Sequence, residues 1–308
     1  MGRRRNKGRA VTGILLLDKP PGLTSNKALQ RAKSLFGARK AGHTGSLDPL
    51  ATGALPLCFG EATKVSSFLL DADKYYRVTA AFGVITDTGD ADGTVVERRH
   101  VPRLDASEVR AATHALTGDM EQVPPMYSAV KQGGKRLYEL AREGHSVERE
   151  ARSVTVYDFE LSELGDDTAT FTVHCAKGTY VRTLIEDLGD KLGVGAHVAA
   201  LRRTAVPPFD ANARLVTLDE LEQANEASGH DALDALLLPA DTALADYAAV
   251  QLNDDLARYV RHGQAVWMPQ APEPGWVRLY DAEATFLGMG EALDDARVAP
   301  RRLMTGSR

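Results

Sequence analysis

The sequence predicts a mixed α/β (α+β) protein with a small β module at its C-terminal end. Segments of strict alternation, such as Tyr76, Val78, Ala80, Phe82 and Val84 against Arg77, Thr79, Ala81 and Gly83, read as half-buried strand. Segments of helical spacing, such as Val181, Leu184, Ile185, Leu188 and Leu192, follow strands of this kind. Beyond about Ala248 the pattern changes to short β-like runs divided by Pro272, Pro274, Gly275 and Gly288. A length of 308 residues exceeds the need of most single compact domains, so one large domain and a smaller companion are expected.

The elements follow in order. The opening Arg3, Arg4, Arg5, Lys7 and Arg9, spaced by Gly2 and Gly8, form a basic arm over residues 1–10 with little to bury. Gly13 to Asp18 reads as a short buried strand, and Lys19-Pro-Pro-Gly22 forces a turn because proline fixes φ where glycine frees it. Thr24 or Ser25 then caps a helix to about Phe36, with Leu29, Ala32 and Phe36 inward. Residues 37–60 are Gly-rich, contain Pro49 and Pro56, and read as a loop.

After the strand from Lys74 to Ile85, a turn-rich stretch holds Asp87, Asp90 and Asp92, but it lacks the spacing and terminal Glu of a calcium loop. A helix is expected around Ala106 to Leu116. Pro124-Pro125 then breaks the chain before a basic, glycine-containing segment suited to a mobile arm. Ser153 to Phe159 and Thr168 to Cys175 alternate as strands, and Thr217-x-x-Glu220 is a capping-box signal for a later helix.

Composition excludes several functions. Hydrophobic residues make up 44% and charged residues 26%, which fits a globular chain. No apolar run approaches the roughly 18 to 20 residues that cross a bilayer, and no h-region follows the basic start, so no membrane association is expected and the cytoplasm is the expected compartment. Cys58 and Cys175 stand apart from each other and from any His at ligand spacing, which predicts buried thiols rather than a metal or disulfide site. A net charge of -5 conceals segregation: residues 1–40 carry eleven Lys or Arg against the single acid Asp18, and residues 210–257 carry eleven acids against Arg214. The basic half is suited to an anionic polymer.

Asp48 lies in the Gly-rich stretch HTGSLDPLATG at 43–53 and precedes Pro49, which biases its backbone toward extended conformations. On local sequence alone a turn aspartate and a functional carboxylate look the same. Tyr180 and Arg182 sit where a strand hands over to a helix, a place where side chains converge on sites.

The stretch GHTGSLDPLATG at 42–53 resembles the catalytic loop of the TruB family, the tRNA pseudouridine-55 synthases. LLLDKPPGLTS at 15–25, PPMYSAVKQGGKRLYELAREG at 124–144 and KGTYVRTLIEDLG at 177–189 resemble further family segments in the family's order. The resemblance covers roughly Val11 to Phe209. It implies a pseudouridine synthase fold over residues 11–247, with a mixed β-sheet, an RNA-binding cleft and an RNA-gripping insertion at about 124–152. For residues 248–308 it implies a PUA-like RNA-binding module.

The resemblance also implies roles. Asp48 becomes the catalytic carboxylate, Tyr76 the surface that stacks on the target base, Arg182 the partner of the aspartate, and Tyr180 a member of the same pocket. His43 resembles the residue that fills the gap left when the uridine flips out. Lys131, Lys135 and Arg136 become phosphate contacts in the insertion, with Lys19 a possible further one; Asp90 is also in a family-like position. The implied substrate is uridine 55 in the T-arm stem-loop of tRNA, with no cofactor, no metal and no obligatory protein partner, and the expected state is a monomer.

These residue types suit that chemistry. A base must leave the stack to react, and stacking on an aromatic ring is worth about 1 to 3 kcal/mol, which offsets part of the extrusion cost. Cleavage of the glycosidic bond develops positive charge on the sugar, so a carboxylate acts either as nucleophile or as stabiliser of an elimination. Two other readings compete: a tRNA-binding or tRNA-folding protein with secondary catalysis, and a guide-RNA-dependent pseudouridine synthase relative.

Overall fold

The computed structural model describes residues 8–128, 130–145 and 147–304, without the side chains of Lys131, Gln132, Arg136 and Arg142. Residues 1–7 of the expected basic arm therefore lie outside the described residues. The chain divides into two compact units. One comprises the described parts of Met1–Leu47, Ala54–Asp71 and Pro207–Arg308, and the other Asp48–Gly53 and Ala72–Val206.

The first unit opens with β1 (Gly13–Lys19), an apolar run buried on both faces except at Asp18. Thr24 caps α1 (Ser25–Leu35) by accepting from the Lys27 amide at 3.2 Å, and Ala28, Leu29 and Ala32 form its buried face. The expected loop at 37–60 instead contains β2 (Ala41–His43) and the whole of β3 (Thr52–Phe59), paired antiparallel with His43 opposite Leu57. Glycine and proline marked this region as loop, but Thr52–Phe59 is almost wholly buried, and a buried backbone must satisfy its polar groups in a ladder. Pro56 cannot donate to the ladder, but its carbonyl accepts from Thr44 N at 3.1 Å.

Within that stretch residues 37–40 and 44–51 remain irregular. Leu47 is pinned by one hydroxyl: Ser25 Oγ accepts from Leu47 N at 2.7 Å and donates to Leu47 O at 3.1 Å. The short helix α2 (Ser66–Asp71) follows.

The second unit contains β4 (Lys74–Phe82), β5 (Val84–Thr86), β6 (Val95–Arg98), α3 (Ala106–His114) and β7 (Gly118–Gln122). The expected strand at 74–85 breaks into β4 and β5 at Gly83, whose φ of +79° turns the chain. Next come β8 (Lys131–Gln132) and β9 (Lys135–Arg136), a hairpin closed by Gly133 and Gly134 at φ +58° and +88°. The helix α4 (Leu137–Arg142) continues from it. β10 (Arg152–Leu164), β11 (Thr168–Cys175), α5 (Val181–Lys191) and β12 (Ala196–Ala205) complete the unit.

Its main sheet has the antiparallel order β12-β4-β11-β10-β7. Thr52 and Gly53 of β3 run parallel to β12, opposite Arg202 and Arg203. α5 packs on β12 and β4, α3 on β10, and the core includes Val78, Ala80, Phe171, Leu184, Ile185 and Leu188. The alternation of β4 is as expected: Val78, Ala80 and Phe82 are buried, and Tyr76 on the same face is half-buried.

The chain then returns to the first unit. Thr217 and Glu220 form the reciprocal capping box at the start of α6 (Leu218–Asp234). β13 (Ala248–Gln251), α7 (Asp254–Arg261), β14 (Val266–Trp267), β15 (Gly275–Tyr280), β16 (Phe286–Ala292) and β17 (Arg297–Leu303) form the C-terminal β module, with strand order β13-β15-β16-β17-β14. Val250, Leu252, Val260, Val277, Leu279 and Val298 fill its core. Phe68 of α2 meets the edges of Tyr247 and Trp276, each at 5.2 Å between ring centres. The two charged segments meet as well: Arg9 pairs with Asp234 at 2.5 Å and Arg31 with Glu222 at 2.6 Å. Part of the charge segregation is therefore neutralised inside one unit.

Among the described residues no helix is long and apolar enough to cross a membrane. Cys58 and Cys175 are buried free thiols, and burial pushes each up to about 12.

Gly53 provides a test of the β3–β12 contact. Its φ is +97°, and a Cβ there would lie 2.2 Å from the carbonyl oxygen of Arg203. Gly53→Ala is expected to destabilise the protein by about 2 kcal/mol or more. A denaturant midpoint equal to that of the parent chain would overturn this reading.

Candidate active site

Asp48, Tyr76, Tyr180 and Arg182 belong to the second unit. Asp48 stands at the end of the irregular stretch before β3, and its carbonyl accepts from Ala51 N at 3.1 Å in a tight turn. Tyr76 is the third residue of β4, opposite Arg203 of β12 and Val173 of β11. Tyr180 is the N-cap residue of α5 and Arg182 the second residue of that helix.

The arginine organises the group. Arg182 Nε lies 2.9 Å from Asp48 Oδ2 and 3.8 Å from Asp90 Oδ2. Its Nη1 donates to Thr88 O at 2.7 Å and its Nη2 to Tyr127 O at 2.8 Å. The side chain is 4% exposed, so its charge is desolvated and its planar fork is held by four partners from three separate segments. Asp48 is 38% exposed, so the carboxylate that the arginine fixes still opens to solvent. A buried cation aiming an accessible anion is the arrangement a reacting carboxylate needs.

Asp90 itself is 6% exposed and fixed by a short loop. Its Oδ1 accepts from Thr88 Oγ1 at 2.6 Å and from Asp92 N at 3.2 Å, and its carbonyl accepts from Thr86 Oγ1 at 2.7 Å. The turn-rich acidic stretch thus builds a wall of the site. Among the described residues no group of His, Cys, Asp and Glu is placed to hold a metal ion.

The two tyrosines share the site's field. Burial raises the Tyr76 phenol above its ordinary pKa, while the Arg203 guanidinium beside it pulls down and Asp48 pushes up. Arg203 is 1% exposed. Burial likewise raises Tyr180, with Arg152 and Arg182 pulling down and Asp48 pushing up. Arg203 carried no distinguishing sequence signal, because its basic neighbour Arg202 in the same strand is exposed. The backbone acceptors at Thr88 and Tyr127 are invisible to side-chain reasoning altogether.

The other expected site residues are placed differently. His43 is half-buried on β2 of the first unit. Lys19, expected as a possible phosphate contact, is fully buried, and its ammonium donates to Pro20 O at 2.9 Å and Leu23 O at 2.6 Å, closing the Pro-Pro-Gly turn from inside. Lys135 is exposed on β9 and pairs with Glu143 at 3.1 Å. The side chains of Lys131 and Arg136 lie outside the described residues.

With this geometry in view, the chain was compared with known proteins. Residues 33–181 match the family model "TruB family pseudouridylate synthase (N terminal domain)". Residues 182–245 and 248–304 match two further models, "tRNA pseudouridylate synthase B C-terminal domain" and "Pseudouridine synthase II TruB, C-terminal". A relative from Nitrosococcus oceani, named tRNA pseudouridine synthase B, is 55% identical over 98% of this chain and 97% of its own length. The chain belongs to the TruB family.

A second relative of the same name, from Pseudomonas aeruginosa, is 53% identical over 96% of this chain and 97% of its own length. Among solved structures, the chain in a Cbf5-Nop10-Gar1 complex matches with a TM-score of 0.70 at 26% identity, covering 96% of this chain and 84% of that one. The archaeal box H/ACA sRNP Nop10-Cbf5 complex gives 0.70 at 25%, covering 94% and 85%. The expected pseudouridine synthase fold with a C-terminal β module is therefore present, and the TruB family segments cited from the sequence fall on the elements that hold Asp48, Arg182 and Tyr180.

Glu186, one turn beyond Arg182 on α5, reports on this buried charge. Its carboxylate lies against Gly89, where an added Cβ would come within 2.8 Å of Glu186 Oε1. Burial pushes its carboxyl up to about 7; Arg182 pulls it down, and Asp187, Asp190 and Asp90 push it further up. The folded chain thus keeps a proton that the unfolded chain releases near the ordinary value of 4.5, and stability falls as pH rises through that interval. The melting temperature of Glu186→Gln relative to the parent is expected to rise from pH 5 to pH 8. A constant difference across that range would contradict the burial argument.

Proposed function

We propose that this protein isomerises uridine 55 in the T-loop of tRNA to pseudouridine, with Asp48 as the catalytic carboxylate. The observation that carries the reading is the 2.9 Å pair between the exposed Asp48 carboxylate and the buried Arg182 guanidinium, in a chain of this family. The reaction breaks the N1–C1′ bond and forms C5–C1′; the C5 proton is lost and N1 gains one. Atoms and electrons balance without an external reagent. The protein must extract the base, hold the sugar against a carboxylate and control one proton.

Tyr76, half-buried beside Asp48 and Arg203, offers the stacking surface for the extruded base. Tyr180 lines the same pocket. Asp48 faces the sugar either as nucleophile at C1′ or as the charge that stabilises an elimination, and both roles use the ionised form that Arg182 orients. His43 fills the vacancy in the RNA. Lys135, with Lys131 and Arg136, meets phosphates: an exposed pair such as Lys135–Glu143 contributes little, so a phosphate displaces the glutamate readily. We assign residues 11–247 to catalysis and 248–308 to a PUA-like RNA-binding role, in a protein that acts in the cytoplasm as a monomer without a protein partner. The guide-RNA-dependent reading ranks second, because the relatives at 53 to 55% identity are named tRNA pseudouridine synthase B, whereas the H/ACA proteins match at 25 to 26%.

Incubating the purified protein with an isolated T-arm stem-loop and mapping pseudouridine by chemical derivatisation tests the specificity. Product at the T-loop uridine is expected; modification only elsewhere would refute it. Asp48→Asn is expected to abolish product while RNA binding persists, and retained turnover would sink the catalytic assignment. Arg182→Lys keeps the charge but loses the fork, so turnover is expected to fall about 100-fold in single-turnover assays.

A further inference from the structure

Gln122, the last residue of β7, is 3% exposed and belongs to none of the side chains the sequence marked for chemistry. Its carboxamide makes two reciprocal hydrogen bonds with one residue: Gln122 Oε1 accepts from Tyr180 N at 2.7 Å, and Gln122 Nε2 donates to Tyr180 O at 3.1 Å. The side chain therefore imitates a strand partner for the backbone of Tyr180. That backbone has no side-chain cap of its own, and its φ and ψ of -96° and 106° are extended, at the junction where the chain enters α5.

The junction decides where two site residues point. Tyr180 carries the phenol of the pocket, and two residues on, Arg182 carries the guanidinium that holds Asp48. A displacement of the Tyr180 peptide swings both. The same β7 exit supports the corner again, since Tyr127 O accepts from Arg182 Nη2 at 2.8 Å. Residues 122–127 thus grip the start of α5 at its backbone and at its arginine.

We propose that Gln122 is a positioning residue of the pseudouridylate synthase reaction, holding the Tyr180–Arg182 corner in the geometry that aims Arg182 at Asp48. The proposal rests on the reading of the site given above. It requires both halves of the carboxamide: a carboxylate keeps the bond from Tyr180 N but sets lone pairs against Tyr180 O, and a shorter amide does not span the gap.

The experiment compares single-turnover rates and RNA affinity for the full-length parent, Gln122→Ala, Gln122→Asn and Gln122→Glu on the T-arm stem-loop. Misplacement of catalytic groups by about 1 Å costs on the order of 100-fold. Gln122→Ala is accordingly expected to lower the chemical rate by about 10- to 100-fold, with RNA dissociation constants unchanged within experimental error. Gln122→Glu is expected to be slow at pH 8 and to recover relative to the parent as pH falls, because the protonated carboxyl again offers one donor and one acceptor. A Gln122→Glu rate that tracks the parent at every pH, or a folded Gln122→Ala or Gln122→Asn with parental rates, would overturn the proposal. If Gln122→Ala does not fold, the pH profile of Gln122→Glu decides. An inactive parent chain would instead defeat the underlying reading of the site.

Discussion

The second unit is organised around a buried guanidinium. Arg182 loses nearly all contact with water, and a desolvated cation is tolerated only where acceptors surround it. The acceptors are drawn from three places far apart in sequence: Asp48 before β3, Thr88 and Asp90 after β5, and Tyr127 after β7. Satisfying one side chain thereby fixes three loops that have no regular structure of their own. The sheet beneath supplies the frame, because β4 and β12 are adjacent and set Tyr76 beside Arg203.

This arrangement separates stability from accessibility. The arginine, Asp90 and Arg203 are sealed, and their hydrogen bonds are paid once, on folding. Asp48 alone of the charged quartet is substantially exposed, so its carboxylate remains reachable while its orientation is set from behind. Glu186 marks the cost of concentrating charge there: with Arg182 already engaged by other acids, burial dominates and the carboxyl titrates near neutrality.

Local signals served where local physics decides. The Thr217–Glu220 capping box, the alternation along β4 and the helical spacing of α5 all describe interactions within a few residues, and each has its expected place. The stretch at 37–60 misled because its glycines and prolines speak of turns, whereas burial of the apolar run Thr52–Phe59 imposed strand pairing. The burial of Lys19 was not legible for the converse reason: a lysine in a turn is ordinarily solvated, but here its ammonium replaces water as the donor to the turn's own carbonyls.

By itself the sequence determined the mixed α/β class, the β character of the C-terminal module and, through several ordered segments, a resemblance to one family that implies a site at Asp48, Tyr76, Tyr180 and Arg182. Those properties reside in residue types and their spacing. Only the tertiary structure decided that Arg182 is buried, that backbone carbonyls at Thr88 and Tyr127 complete its shell, that Asp90 and Arg203 flank the site, and that Gln122 holds the backbone of Tyr180. These are contacts between residues 50 or more positions apart, made through groups that every residue shares, and no local pattern encodes them.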